Sequence, residues 1–196
     1  MSKELDFYFD FGSPTAYLAY CRLGQLSEQY GLRVNYRPML LGGVFKATSN
    51  TSPVTIPAKA AYMLQQDLPR FSQRYGVPLN FNPHFPINTL HLMRGALAAE
   101  QLGCLDAYMD TVFKAVWVAG KNMGDSDVVA ETLAESGLDS GALLSLCQDP
   151  AIKAALVAET DAAVARGCFG APTLFMDDEM YFGQDRLDFV EQALQA

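Results

Sequence analysis

The sequence predicts a mixed α/β chain in which a βαβ unit at one end and a ββα unit at the other are separated by a long block of helices. Three observations lead there. An aromatic run from Leu5 stops at Gly12, and a helical pattern follows at once from Ser13-Pro14 before a second strand-like run, Leu32 to Tyr36. From Ala58 to Gly167 the apolar spacing is helical throughout. Beyond Gly167, two short β-prone runs flank a turn at Asp177-Asp178 and lead into a closing helix.

Phe7, Tyr8 and Phe9 favour a pleated, buried strand. Ser13 is a good helix N-cap, and Pro14 suits the first helical position because its missing N–H would have no partner there. Ala16, Tyr20, Leu23, Leu26 and Tyr30 recur at helical spacing, and Gly31 is a natural stop. Strand, helix and strand in close succession imply parallel pairing through a right-handed crossover.

Met39 to Pro57 reads as irregular, with Gly42-Gly43, Pro53 and Pro57. A loop of that length in a compact domain is either functional or a plain connector. Ala61, Leu64, Leu68, Phe71 and Tyr75 then form one helical stripe, stopped by Gly76 and Pro78. Asn88 is a candidate cap for a helix ending near Gly103, and Leu105, Tyr108, Val112, Ala115 and Ala119 mark the next. Asp125 or Ser126, Asp139 and Asp149-Pro150 open three more. Thr173 to Met176 and Met180 to Phe182 read as hairpin strands, and Asp185 to Ala193 as the final helix.

The chain has 196 residues, is 50% hydrophobic and 18% charged, and carries a net charge of −8. That balance can bury a real core. The negative charge argues against nucleic acid and anionic membranes as partners, though not against small anions that respond to local fields. Met1 to Asp6 holds no apolar run, so no targeting segment is expected, and no stretch approaches a bilayer span. Cys21, Cys104, Cys147 and Cys168 are scattered, without Cys-x-x-Cys or metal spacing. Cys21, Cys104 and Cys147 sit within helical patterns and read as small buried hydrophobes; a reducing cytoplasm fits best, and His84 and His91 read as structural or surface residues.

A thioredoxin-type domain has this βαβ…ββα order. Here residues 1–57 and 168–196 would form it, with 58–167 as a helical insertion. Three separated stretches then gain meaning. Ser13 sits where thioredoxin-fold enzymes hold their reactive sulfur, at a helix N-terminus whose dipole and N–H groups stabilise a thiolate. No cysteine is present in Ser13-Pro14-Thr15-Ala16, so the chain does not exchange disulfides there. Ser13 either donates to a sulfur that arrives with a ligand or merely caps. Ala171-Pro172 occupies the cis-proline position, where backbone turns outward toward a peptide-like ligand; simple punctuation is the alternative. Gln184 and Asp185 open the last helix, as ordinary first-turn residues or as holders of a ligand's charged end.

Asp10-Phe-Gly-Ser-Pro-Thr-Ala-Tyr-Leu, Phe169-Gly-Ala-Pro-Thr and Phe182-Gly-Gln-Asp-Arg together resemble the signature stretches of the kappa-class glutathione transferases, and most of all the bacterial 2-hydroxychromene-2-carboxylate isomerases of the DsbA-like thioredoxin superfamily. The resemblance implies a homodimeric enzyme that isomerises small aromatic carboxylates through transient addition of a Ser13-stabilised glutathione thiolate. It further implies glutathione contacts from Asn50, Pro57, Ala171, Pro172, Gln184 and Asp185. Lys46 would lie near the substrate carboxylate. Trp117 would line the substrate cavity, with core packing as its alternative role. Thr55-Ile56 stands where the characterised isomerases carry an Asn-Arg pair, which keeps a kappa-like transferase or peroxidase as the second reading. A non-catalytic binding protein is the third.

Overall fold

The computed structural model describes residues 3–195. β1 (Glu4–Phe9) turns into α1 (Pro14–Tyr30), and β2 (Arg33–Pro38) returns parallel to β1. β3 (Thr173–Met176) and β4 (Glu179–Phe182) form an antiparallel hairpin whose first strand pairs with the other edge of β1. The sheet order is β2-β1-β3-β4, and α10 (Leu187–Gln195) packs back on α1. The expected βαβ and ββα units are thus halves of one mixed sheet.

β1 is covered on both faces, which is why its run is almost continuously apolar. Phe7 and Phe9 face one cluster with Leu23, Leu26 and Phe113, while Tyr8 faces another with Met39, Val44 and Phe175. α1 begins as its sequence dictates. The Ser13 Oγ accepts from the Ala16 N–H at 3.1 Å, and Gly31 closes the helix at φ 67°.

Residues 39–57 depart from the irregular segment expected. They fold into α2 (Leu41–Thr48) and a 3₁₀ turn at Pro53–Thr55. Leu40, Leu41, Val44 and Phe45 carry a helical spacing that the Gly42-Gly43 pair disguises. Gly43 marks a close crossing with a helix later in the chain: a Cβ there would stand 3.1 Å from the Thr160 Cγ2.

The next helical stretch is continuous but uneven. α3 (Pro57–Tyr62) and α4 (Leu68–Tyr75) are joined by a wide π turn at Met63–Asp67, in which the Leu68 N–H reaches back five residues to the Met63 carbonyl. The remaining helices are α5 (Leu90–Gln101), α6 (Leu105–Trp117), α7 (Ser126–Glu135), α8 (Ser140–Leu146) and α9 (Pro150–Ala165). Asp125, Asp139 and Asp149 cap the last three with their side chains. At α5 the N-cap position belongs to Thr89, and Asn88 assists by accepting from the Leu90 N–H at 3.1 Å.

The helical block shares its core with the sheet. The Phe113 ring lies 5.9 Å from Phe9 and 4.7 Å from Phe11, and Trp117, Tyr108 and Met109 are fully enclosed in the same cluster. Cys147 and Cys168 are buried, whereas Cys21 and Cys104 are only half-buried; Cys104 precedes α6 instead of lying within it. All four are free thiols. Among the described residues, no single helix is long and apolar enough to cross a membrane.

Candidate active site

Where α1 begins, β1, α2 and the β3 entry converge. Ser13 is 5% exposed, and its hydroxyl bridges three groups. It accepts from the Ala16 N–H at 3.1 Å and lies 2.9 Å from the Thr15 Oγ1 and 3.1 Å from the Ala171 carbonyl oxygen. The Thr15 Oγ1 lies 3.2 Å from the same carbonyl, so when one hydroxyl donates to the other, only the second donates to Ala171. Pro14 has no N–H, and the Thr15 N–H at the second helical position has no acceptor within the helix. The positive end of α1 is therefore open beside two hydroxyls. The Ala171-Pro172 peptide bond is cis.

These groups wall a cavity of about 330 Å³. Its polar lining includes Ser13, Thr15, Asn50, Asp67, Gln184, Asp185 and Arg186, and its apolar lining Leu41 and Phe45 from α2, Val54, Met63, Phe85 and Phe182. The Gly183 N–H donates to the Pro172 carbonyl at 3.0 Å, which sets Gln184 and Asp185 beside the cis-proline. Gly183 (φ 98°) has to stay a glycine, since a Cβ there would overlap the Asp185 carboxylate. The Gln184 carbonyl is fixed by the Tyr75 hydroxyl at 2.7 Å, and Asp185 pairs with Arg186 at 2.6 Å.

Of the residues singled out from the sequence, Ser13, Asn50, Ala171, Pro172, Gln184 and Asp185 meet on this one cavity. Asn50 does so while its amide donates to the Phe169 carbonyl at 2.8 Å, tying the end of α2 to the loop before Pro172. Three others lie elsewhere. Lys46 is exposed and off the wall, because the segment is helical and successive side chains point about 100° apart. Phe45 takes the cavity, Val44 the core, and Lys46 the solvent. Pro57 opens α3 on the solvent side. Trp117 is wholly buried, and its Nε1 donates to the Phe11 carbonyl at 2.7 Å, so packing is its role rather than lining the cavity.

The structure adds residues that the sequence reading gave no role. Asp10 is buried, accepting from the Gly12 N–H at 2.9 Å through one oxygen and from the Leu41 N–H at 2.8 Å through the other. It therefore holds together two strips of the cavity wall. Burial pushes its carboxyl above the ordinary value, and those two hydrogen bonds only partly oppose this. Asp67 is also raised, by burial first and then by the neighbouring Asp185 charge. Asp10 sat within a quoted motif, and its adjacency to the turn was the available signal. Asp67 gave none, because its placement depends on the wide turn.

The DSBA-like thioredoxin domain model matches residues 4–195. The chain is 33% identical to a 2-hydroxychromene-2-carboxylate isomerase from Sphingobium xenophagum, over 99% of both chains. It is 26% identical to glutathione S-transferase kappa 1 from Rattus norvegicus, over 98% of this chain and 91% of that one. A solved structure of a 2-hydroxychromene-2-carboxylate isomerase superposes with a TM-score of 0.89 at 35% identity, covering 98% of this chain and 94% of that one. The chain belongs to the DSBA-like thioredoxin family, within the group that joins the 2-hydroxychromene-2-carboxylate isomerases to the kappa-class glutathione transferases.

Proposed function

We propose that the protein is a glutathione-dependent isomerase of aromatic carboxylates like 2-hydroxychromene-2-carboxylate. The observation that carries this is the convergence of Ser13, cis Ala171-Pro172 and Gln184-Asp185 on one cavity in a chain so similar to named isomerases. The cavity fits a glutathione-sized peptide: its lining combines polar and apolar side chains, and it carries a helix N-terminus at Ser13.

Bound glutathione would supply a nucleophilic thiolate. Ser13, Ala171 and Pro172 would hold its cysteinyl part, Asn50 the adjoining backbone, and Gln184 with Asp185 its γ-glutamyl end. The Ser13 hydroxyl now points at the Ala171 carbonyl; swinging it toward the cavity provides a hydrogen bond to an anion. That bond and the open end of α1 favour the ionised sulfur. Phe45, Phe85, Val54 and Phe182 exclude water from the substrate's apolar body. Isomerisation leaves the thiol unconsumed, so the residues need only orient and polarise.

One observation favours the second reading, a kappa-like transferase or peroxidase. Lys46 is off the wall and Arg186 is already engaged by Asp185, which leaves no unpaired cation on the cavity among the described residues. Turnover decides between them, because the isomerase leaves glutathione constant and the rival consumes it.

The support for a homodimer is α3, which has no buried residue and exposes Ile56 and Tyr62 at its two ends. A reducing cytoplasm fits four free thiols.

Titrating the protein with glutathione while following ultraviolet thiolate absorbance tests the site. Saturable binding with thiolate formation near neutral pH is expected. Ser13→Ala should keep the fold, at a capping cost of about 1 kcal/mol, and lose the thiolate signal. Unchanged ionisation in that variant overturns the role of Ser13.

A further inference from the structure

We propose that the groove between α2, α5 and α9 is a second ligand site, built for a compact apolar molecule bearing a single carboxylate. It lies behind α2, away from the candidate active site. Leu41 and Phe45 face that cavity, whereas Leu40 and Gly43 face the groove.

The groove has a volume of about 170 Å³, and Leu40, Leu90, Leu156 and Val157 give it apolar walls. Val157 is 61% exposed, a large apolar surface left open to water. The charged groups that face the groove are Arg94 from α5 and Lys153 and Asp161 from α9.

Arg94 is the unusual member. It is half-buried, and its Nε is out of reach of water without a hydrogen-bond partner; the Arg37 Nε is enclosed and unbonded too, but it stands 3.6 Å from a Glu159 carboxylate oxygen. Every other arginine has a partner among the described residues. Arg22, Arg33, Arg37, Arg74, Arg166 and Arg186 meet carboxylates, and Arg70 meets the Gln66 amide oxygen. Arg94 has neither a carboxylate nor an amide among those residues. Lys153, half-buried on the facing helix, has no ion pair there either. The enclosed Nε is not within a ligand's reach, so the terminal guanidinium N–H groups, for which no acceptor is found among the described residues, are the ones open to a carboxylate. Two unanswered cations across one apolar groove are a preformed anion site.

The chemistry of the walls sets the ligand class. A planar guanidinium matches a carboxylate in two parallel hydrogen bonds. The Thr160 hydroxyl is already spent, accepting from Leu40 and donating to the Leu156 carbonyl, so the cations alone recognise the polar head. Asp161 on the same groove repels a second negative charge. The volume admits one ring or a branched chain.

Benzoate is the probe, read by the methyl resonances of Leu156 and Val157, with those of Leu41 and Val54 reporting the active-site cavity. Benzoate should shift Leu156 and Val157 saturably, with glutathione present at saturation and in the Ser13→Ala variant alike. Arg94→Met, which keeps the apolar stem, should weaken that binding at least about tenfold, and Arg94→Lys should restore part of it. Lys153→Met should weaken it in the same direction and serves as the decisive variant if Arg94→Met fails to fold. Benzyl alcohol and inorganic phosphate should leave these methyls unmoved. The proposal is overturned if benzoate does not shift Leu156 and Val157, if glutathione abolishes the shift, if the folded variants bind as the parent does, or if phosphate shifts them equally. None of these outcomes depends on the isomerase assignment.

Discussion

The Trp117 indole N–H donates to the Phe11 carbonyl at 2.7 Å, joining the last turn of α6 to the turn that presents Ser13. Both partners are fully buried, so the helical block braces the turn before Ser13.

Replacing Trp117 with Phe retains most of the volume and leaves the Phe11 carbonyl without its donor. The expected cost is about 1–3 kcal/mol, read as a fall in Tm of about 2–4 °C per kcal/mol. KM for an aromatic substrate should stay within about twofold, since the indole is not on the cavity wall. A large rise in KM with unchanged Tm would restore the cavity role.

Asp10 gives a pH signature. Its folded carboxyl is raised above the reference value of 3.8 by burial, so between the two values the folded state binds the extra proton. Stability then falls as pH rises through that window. The stability of the parent minus that of Asp10→Asn, from urea unfolding at a series of pH values, should decline from about pH 4 upward. A flat difference removes Asp10 as the source.

Asp185 and Asp67 line the same end of the cavity closely enough that the Asp185 charge helps raise the Asp67 carboxyl, after burial. Asp185→Asn should weaken glutathione binding about tenfold, or about 1.4 kcal/mol, and Asp67→Asn in the same direction by less. Calorimetric titration reads both. Unchanged affinity in Asp185→Asn rules out that end as the γ-glutamyl subsite.

Gly95 in α5 leaves room for the Tyr108 hydroxyl, which donates to the Leu92 carbonyl at 3.0 Å. Gly95→Ala should therefore destabilise by about 1–3 kcal/mol through overpacking, against the gain of about 1 kcal/mol that alanine gives an ordinary helix position. A raised Tm would show that Tyr108 can give way.

The sheet and most helices were legible because each element announced its ends. Ser13, Asp125, Asp139 and Asp149 cap, while Gly31, Gly76, Gly103, Gly120 and Gly137 take positive φ. Ala171-Pro172 and Gln184-Asp185 were found through chain order, since neither pair is chemically distinctive alone. α2 was missed because Gly42-Gly43 reads as a breaker, whereas Gly43 serves a close helix crossing. The side chains of Lys46 and Trp117 leave the cavity wall for related reasons. A residue's direction depends on helical phase and on partners such as Phe11 that lie far off in sequence.

The wide turn at Met63–Asp67 has one more consequence. Each residue advances a regular helix by about 100°, so one surplus residue puts the stretch before it and the stretch after it out of step. α4 keeps Leu68 and Tyr75 in the core, while Asp67 lines the cavity and Met63 reaches it as well as packing against that core. One helical rod thereby presents side chains both to the core and to the cavity. Removing that residue would bring the two into phase and force a choice between them.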